Sequence, residues 1–486
     1  MLLCDIISSG RKWKIMGKFN KFNFMVLAQS KNLRLTGDEF FNWFSHVFNL
    51  NLPDNMAQSK KLGLLLSHFG CVSSMELLSV GCPYEYDEIN KQSLFKLISR
   101  EIKAGKIKKL SLKHLDGTSR SLYGLTKLGY KQIEKFKRTR GCLVETGHIL
   151  PTYHTYALSF ALMTLMQNKM DIGIEFEVVS EADHNGFNKA KSFRADAIVS
   201  YHSKKFYIEQ DMGTETIGKV AGKMLEYRDP DKIIILASHK PVMLKRLDEE
   251  YIRKIKKAEG NCKNAYDLIK NSENKELADV IRMLIALTKK SDISQLVQYS
   301  IVADERISEF IRIVKLYQNS QNRKKSLVNH IIKNKKEREY ALFGMHIYCI
   351  PSELMYFSMA FRRDDIHVLE SVYKNVRYYE ERINVAGISF DGYGKTDKET
   401  VVVEYPEEDA CSVVRILHYV RNKDAAVDVK IVAYVNTVEY AYQLSSMICE
   451  GIDSVAKSVL VIICEGDSNI YAARFGKLVP VGHRKI

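Results

Sequence analysis

The amino-acid sequence predicts a mixed α/β fold built from several modules, on three observations. The chain has 486 residues, enough for about three domains of ~150 residues each. Its composition, 46% hydrophobic and 27% charged, is ordinary for globular proteins. Apolar residues follow helical spacing in some segments and strand alternation in others, and one α/β pattern recurs. These features exclude a chain that is disordered or of low complexity throughout.

Composition and pattern divide the chain into five parts. They are an aromatic-rich helical segment at 1–54, a basic module at 55–140, an α/β unit at 141–244, a helical insertion or linker at 245–340, and a second α/β unit at 341–486. The first part carries aromatic residues at helical spacing between Phe40 and Phe48. We expect this face to pack against the core or a partner chain, because aromatic rings dominate such contacts.

Positive charge is concentrated in one short segment of the chain. Residues 91–140 hold 15 basic and 3 acidic side chains, which contribute +12 to the formal net charge of +15. Such a concentrated positive field favours a polyanionic partner, most often nucleic acid. Basic and acidic residues interleave at 245–340, which indicates a solvated helical face first and an accessory DNA contact second.

The basic module has the element order of a winged helix-turn-helix. The spacing predicts helices at 57–68, 75–80 and 91–104, strands at 107–112 and 121–125, and a last helix from Tyr130. We expect Asn90 to cap the third helix, Gly105 to end it, and Asp116 with Gly117 to turn between the strands. The phrase SLYGLTKLGYKQI also resembles the segment that closes the wing in many winged-helix regulators.

This order makes 91–104 the recognition helix and the strand pair the wing. The candidate DNA-binding residues are Lys96, Arg100 and Lys103 on the helix, and Lys106, Lys108, Lys109, Lys113 and Arg120 on the wing. Phosphate contacts position such a module on double-stranded DNA, and base contacts from the helix give sequence specificity. The alternative is a winged helix that binds protein, which the charge of the segment disfavours.

An α/β pattern with acidic strand ends follows at 172–239. We expect strands at 174–179, 193–199 and 205–211, a turn at Ser203 and Lys204, a helix at 215–228, and a buried, parallel strand at 232–238. The residues with candidate chemistry are Asp196, Glu209 and Asp211 at strand ends, and Lys219 and Lys223 one turn apart on the helix.

Carboxylates on neighbouring strands can hold Mg²⁺, and the ion would activate water against a phosphodiester while a lysine stabilises the developing charge. Salt-bridged strands on a protein surface would present the same residues and are the simpler alternative.

Several pieces of this region resemble the replication-relaxation family of bacterial plasmids and integrative elements. They are Ala195-Asp196, Glu209-Gln210-Asp211, Gly213-Thr214-Glu215, Lys223 with Tyr227, and the helix His154–Leu165. Members of that family join a winged helix to a domain similar to the PD-(D/E)XK nuclease fold. The resemblance covers roughly residues 55–240.

The resemblance implies a restriction-endonuclease-like domain with a metal-dependent site. Asp196, Glu209 and Asp211 would bind Mg²⁺, and Lys223 would stabilise the transition state. Two residues depart from the family pattern. Ala195 replaces the usual proline, and Asp211 stands where an active nuclease has lysine. An inactive nuclease fold that only binds DNA is therefore an open alternative.

The elements of this unit recur in the same order about 195 residues later. The corresponding pieces are Gly387–Gly392 for the Asp196 strand, Thr400–Tyr405 for the Glu209 strand, Val414–Tyr419 for the helix, and Asp428–Val435 for the apolar strand. Arg415 takes the place of Lys223, and Pro406 that of Asp211. We expect a degenerate copy with a structural or dimerising role. The alternative is that any two units with this order of helices and strands resemble each other when only the order is compared.

Together these features predict a cytoplasmic protein that binds double-stranded DNA, forms a homodimer, and has no membrane contact. The nine cysteines include no CxxC pair, and no stretch reaches the ~18 apolar residues of a membrane helix. On the resemblance the protein would act in plasmid or mobile-element replication or DNA relaxation, as a Mg²⁺-dependent nickase if the acidic site is active. The alternatives are a non-enzymatic initiator or regulator, and a scaffold that recruits replication or mobilisation proteins.

Overall fold

The computed structural model describes residues 37–53, 55–69, 72–73, 88–113, 119–133, 153–167, 170–175, 195–213, 215–226, 233–238, 253–255, 257, 262, 264–271, 278, 281, 293, 317, 319–422, 429–453, 455–456 and 458–484. The chain forms two compact units, and 241–318 belongs to the smaller one. Its described part includes a helix, Ala265–Asn271. The Asn264 side chain begins that helix by accepting hydrogen bonds from the backbone N–H groups of Tyr266 and Asp267. The elements described below belong to the larger unit, apart from residues 438 and 439.

Two helices with apolar faces begin the described part of the larger unit. They are α1 (Gly37–Val47) and α2 (Gln58–Phe69). Phe44 is fully buried, and its ring centroid lies 5.0 Å from that of His68 and 6.2 Å from that of Phe69. The aromatic face of α1 therefore packs in the protein core, which was the first of the two options from the sequence.

A three-stranded antiparallel sheet follows these helices. The elements are β1 (Val72–Ser73), α3 (Glu88–Lys103), β2 (Ile107–Lys113), β3 (Ser119–Leu125) and α4 (Lys127–Ile133), with sheet order β1-β3-β2. β2 and β3 pair from Ile107 opposite Leu125 to Lys113 opposite Ser119. The predicted helix at 75–80 and the predicted turn at 116–117 lie outside the described residues.

The ends of α3 and α4 correct two sequence predictions. α3 begins at Glu88, so Asn90 lies inside the helix and does not cap it. An acidic residue at the first position is favoured there by the helix dipole. α4 begins at Lys127 instead of Tyr130, because the Thr126 hydroxyl oxygen caps it by accepting the Gly129 N–H at 3.2 Å.

Gly105 ends α3 as the sequence predicts. Its φ of +70° lies in the left-handed region that favours glycine. The Lys106 N–H donates to the Glu101 carbonyl at 2.9 Å, which completes a Schellman motif.

The first large sheet has five strands. The elements are α5 (Tyr153–Gln167), β4 (Ile172–Glu175), β5 (Ala197–Tyr201), β6 (Lys204–Asp211), α6 (Ile217–Glu226), β7 (Ile233–Ser238) and β8 (His346–Pro351), and the strand order follows the chain from β4 to β8. β4, β5 and β6 pair antiparallel, whereas β6, β7 and β8 are parallel. The apolar run at 233–238 is therefore a central parallel strand, as predicted.

Several boundaries in and beside this sheet differ from the sequence predictions, and β4 begins at Ile172 instead of Ile174. The turn between β5 and β6 is His202–Ser203, one residue earlier than predicted, and both residues have positive φ (45° and 63°). That geometry is typical of a two-residue hairpin of right-handed twist. β5 begins at Ala197, so Asp196 directly precedes the strand, and α6 begins at Ile217 instead of Glu215.

The second large sheet has seven strands. A helical segment at 319–333 precedes α7 (Lys335–Leu342), and β8 is followed by a 3₁₀ helix (Ser352–Phe357), α8 (Met359–Arg362), α9 (Asp365–Val372), β9 (Arg377–Tyr379), β10 (Ile383–Val385), β11 (Ile388–Phe390), β12 (Tyr393–Lys395), β13 (Thr400–Glu404), α10 (Ala410–Arg421), β14 (Val429–Val435), α11 (Val438–Ile448), β15 (Leu460–Cys464), β16 (Asn469–Arg474) and β17 (Lys477–His483). The sheet order is β17-β16-β15-β14-β13-β12-β9, with β13, β14 and β15 parallel.

Both large sheets contain a hairpin, a helix and a parallel strand in the same order, namely β5-β6-α6-β7 and β12-β13-α10-β14. The sequence prediction that 387–392 is the counterpart of the Asp196 strand is wrong. β11 pairs with β10 in a separate hairpin, and the strand antiparallel to β13 is β12. One hydrophobic core joins both sheets, with Ile234 of the first and Val402 of the second fully buried in it. The sheets are therefore packed as one body.

Candidate functional site

The exposed face of α3 carries the first group of predicted site residues. Lys96, Arg100 and Lys103 are exposed, whereas Leu94 and Ile98 are buried on the opposite side. Helical periodicity places the three basic residues on one side of the helix. The face is completed by Gln92, Phe95 and Ser99, which are also exposed.

The basic residues predicted on the wing differ in their exposure and in their partners. Lys109 is exposed and Lys108 half-buried, whereas the Lys106 ammonium lies 3.3 Å from the carboxylate of Glu101, a buried residue of α3. The charge of Lys106 is thus shared with an internal partner. Lys113 and Arg120 lie on the β2–β3 ladder near the wing tip, with Arg120 opposite Leu112.

The β5–β6 hairpin brings the first two candidate acids together. Ala197, the first residue of β5, lies opposite Ile208 of β6, so Asp196 comes just before the paired strand and Glu209 directly follows Ile208. The Asp196 backbone N–H donates to the Ile208 carbonyl at 3.0 Å, and its carboxylate accepts the Gln210 N–H at 2.7 Å. Asp196 is half-buried and Glu209 buried. A carboxylate pair therefore lies at the edge of the sheet where β6, β7 and β8 end.

Lys223 on α6 faces the same pair of acids. Its ammonium lies 2.7 Å from the Glu215 carboxylate, and both side chains are about two-fifths exposed, at 41% and 39%. Burial alone would lower the pKa of Lys223. The hydrogen bond to Glu215 and the negative charges of Glu209 and Asp196 outweigh burial, so the pKa is raised. Lys223 is therefore protonated at neutral pH and close enough to sense both acids.

Asp211 has a different environment from the other two acids. The Arg323 guanidinium, from the helical segment 319–333, donates to both oxygens of its carboxylate at 2.6 and 3.1 Å. Arg323 also donates to the Glu215 carbonyl at 2.8 Å, and the Gly213 N–H donates to Asp211 at 2.8 Å. The Asp211 side chain is only 3% exposed. A bidentate pair of this kind holds the carboxylate in place.

The corresponding end of the second sheet carries a second Asp–Glu pair. Asp391 precedes β12, and Glu404 is the last residue of β13, the strand that pairs with β12. Both acids lie 195 residues after their counterparts, since 391 − 196 and 404 − 209 give the same difference. The two acids therefore have the same spacing along the chain in both sheets.

Basic side chains fill this second end. Arg415 of α10 donates to both oxygens of Glu404 at 2.7 and 2.9 Å and contacts Asp409 at 3.1 Å. His346 bridges the two aspartates, with Nδ1 2.7 Å from Asp409 and Nε2 2.7 Å from Asp391. Arg363 and Arg382 lie within 3.4 Å and 3.2 Å of Asp391.

The titration of this cluster follows from its ion pairs. Burial would raise the pKa of Asp409, but His346 and Arg415 outweigh it and lower the pKa to about 2. Burial would likewise raise the pKa of Asp391, which its basic neighbours, above all His346, hold well below the ordinary value. Burial would lower the pKa of His346, but the two aspartates raise it. We call this buried set, His346, Asp391, Glu404, Asp409 and Arg415, the ionic cluster.

No local pattern in the sequence selects Arg323 or His346 as a site residue. Arg323 binds an acid 112 positions away, and His346 contacts partners 45 and 63 positions away. No local spacing predicts such pairs. Phe95, Gln92 and Ser99 could have been selected, because helical periodicity groups them with Lys96, Arg100 and Lys103 once the helix is assigned.

No family model, no curated protein and no solved structure matches the chain. Within the part of the chain that the structure describes, no group of three His, Cys, Asp or Glu side chains is arranged to hold a metal ion. The described helices also include none long and apolar enough to cross a bilayer.

Proposed function

We propose that the protein binds double-stranded DNA through α3 and the β2–β3 wing. The observation that carries the proposal is the exposed face of α3, where Lys96, Arg100 and Lys103 lie together and no exposed position between 92 and 103 is acidic. Glu101 of the same helix is buried, and its carboxylate accepts a hydrogen bond from Arg100 Nε at 3.2 Å, so part of the charge of Arg100 is balanced within the chain. Basic residues along one helix face neutralise phosphates and can enter the major groove.

Charge reversal on this face tests the proposal. We expect Lys96→Glu with Arg100→Glu to reduce duplex affinity at least tenfold and to lower the slope of log affinity against log salt by about two. Fluorescence anisotropy with a labelled duplex, measured at several salt concentrations, reads out both quantities. Lys398→Glu with Lys477→Glu makes the same change of charge at exposed positions outside the basic module and outside 245–340, and serves as the control. Equal affinity of the two double variants would reject α3 as the DNA-binding element.

A Mg²⁺-dependent nickase is the second candidate function. It is favoured by the two acids Asp196 and Glu209, which both lie near Lys223 and raise its pKa. These two acids would hold the ion, which would supply an activated water. Asp211 would first have to leave Arg323, so we propose a structural role for Asp211.

Plasmid relaxation assays test the nickase. Nicking of supercoiled DNA in Mg²⁺ or Mn²⁺ that is lost in Asp196→Asn and Glu209→Gln would support it. DNA binding without nicking would leave the alternative, a non-enzymatic initiator or regulator. The role in plasmid or mobile-element replication rests on the family resemblance alone. The scaffold alternative would require binding to replication or mobilisation proteins without duplex affinity.

A further inference from the structure

A large apolar ring lies in the middle of the basic face of α3. Phe95 is 37% exposed, although the buried side of the same helix offers apolar neighbours in Leu94 and Ile98. It lines a shallow depression of about 450 Å³ together with Lys96, Ser99, Arg100 and Lys103. The exposed part of the ring therefore lies among ammonium and guanidinium groups, where a bound partner can reach it.

The surroundings of the ring limit what it can contact. The side chains around the depression are basic or hydroxylic, which fits a polyanion that also presents an apolar group. In the major groove of duplex DNA, the apolar group on the base edges is the 5-methyl of thymine, and phenylalanine is one of the residues that contact it. Phe95 is the eighth of the 16 residues of α3, so it lies near the middle of the helix face that would enter the groove.

We propose that Phe95 is a specificity-determining residue that packs against a thymine methyl group in the major groove. Lys96, Arg100 and Lys103 hold the helix on the phosphates, and the ring distinguishes thymine from cytosine and from uracil. The inference rests on the proposed duplex binding by α3. It adds the base preference, which phosphate contacts alone do not provide.

The experiment uses the full chain and removes single methyl groups from the DNA. A binding site is first selected from a random duplex library with the wild-type protein. Each thymine of that site is then replaced by deoxyuridine, and the affinity is measured again. We expect one or two positions at which wild-type binding weakens about fourfold, the factor that corresponds to one buried methyl group.

Two variants at position 95 assign the effect to the ring. Phe95→Ala is expected to bind the thymine and deoxyuridine duplexes equally, and Phe95→Leu to retain part of the difference. Leu128→Ala removes another exposed apolar residue, 50% exposed on α4, and should keep the full difference. Lys96→Ala should bind all duplexes more weakly and still discriminate the methyl group. Thermal unfolding checks that each variant is folded.

The outcomes separate the two proposals. If no deoxyuridine substitution weakens wild-type binding, or if Phe95→Ala discriminates as well as the wild type, the role of Phe95 is rejected while duplex binding stands. Tighter binding to single strands than to duplex, lost in Phe95→Ala, would assign the ring to base stacking and also reject the inference. Absence of wild-type binding to any duplex would overturn both proposals.

Discussion

The hairpin ends of the two large sheets can be compared position by position. Asp196 and Glu209 lie near Lys223 in the first sheet, and Asp391 and Glu404 contact His346 and Arg415 in the second. In the first, Lys223 is two-fifths exposed and pairs with Glu215. In the second, the cation that pairs with Glu404 is Arg415, which is 1% exposed. The same spacing of Asp and Glu thus comes with a partly exposed cation in one sheet and a buried cation in the other.

The difference shows what decides whether such a pair can take an outside ligand. A metal ion or a phosphate needs carboxylate oxygens and a cation that are reachable from solvent. The ionic cluster supplies the cations from the chain itself, through Arg415 and His346, and buries them. Breaking a buried pair by removing one partner is costly, whereas an exposed pair contributes little. The two ends should therefore respond very differently to mutation.

The largest difference in the free energy of unfolding is expected between variants of Arg415 and variants of Lys223. Arg415→Met leaves Glu404 buried without a cation and should lower the free energy of unfolding by about 3–5 kcal/mol. Chemical denaturation with urea measures the change. Lys223→Met at the first sheet is the matched variant. A small effect of Arg415→Met, equal to that of Lys223→Met, would contradict the view that the cluster is closed.

The turn between β13 and α10 should make the second sheet sensitive to pH. Burial raises the pKa of Glu408 to about 7. Since the folded state favours the protonated form, its contribution to stability is complete below pH ~4.5 and is lost as pH rises through 7, a change of about 3 kcal/mol. Glu408→Gln should therefore be more stable than wild type at pH 8 and similar at pH 4.5.

Urea unfolding of both proteins at the two pH values tests this prediction. The charged groups near Glu408 include Glu407, Arg362 and Lys324, and all three remain in the variant. Parallel pH curves for wild type and variant would show that Glu408 ionises normally in the fold.

Divalent cations should distinguish the two ends by a smaller effect. At a concentration of about ten times Kd, Mg²⁺ or Mn²⁺ bound at Asp196 and Glu209 would stabilise the protein by about 1.4 kcal/mol. Differential scanning fluorimetry detects the shift in Tm. Asp196→Asn with Glu209→Gln should abolish it. Glu380→Gln with Glu381→Gln, two exposed acids of the second sheet region, should retain it. A shift that survives in the first variant would place the ion elsewhere.

The smallest effect on stability is expected for the exposed ion pair of the first sheet, Lys223 with Glu215. Lys223→Met should change the free energy of unfolding by less than about 1 kcal/mol, because solvent screens its pair with Glu215. Glu215→Gln should have a similarly small effect. A loss above ~2 kcal/mol in either variant would mean that Lys223 is a structural cation like Arg415, and the contrast between the two ends would disappear.

Much of this arrangement follows from local sequence pattern. Alternation predicts the β5–β6 hairpin, the apolar run predicts the central strand β7, and helical spacing predicts the basic face of α3. The pattern also predicts the repeat, but it assigns the Asp196 counterpart to 387–392. Residues 388–390 do form a strand, yet it pairs with β10. The three-residue β12, which contains Gly394, carries no alternation that could identify it as the partner of β13.

The contacts that separate the two ends could not be predicted in this way. Arg323 with Asp211, and His346 with Asp391 and Asp409, join residues far apart in the chain. The spacing of side chains within one helix or strand does not predict such pairs, because they depend on how whole helices and strands pack against each other. The sequence could therefore identify which acids repeat, but not which of them are neutralised.

Strand β8 couples the folding of the two sheets. It completes the five-stranded sheet beside β7, yet His346 at its start belongs to the ionic cluster, and Tyr348 bridges to Asp409 of the second sheet. Unfolding of either sheet would remove a strand or a charged partner from the other. The pair should consequently melt in a single cooperative transition, and a protein shortened after residue 340 would lack an edge strand of the sheet it retains.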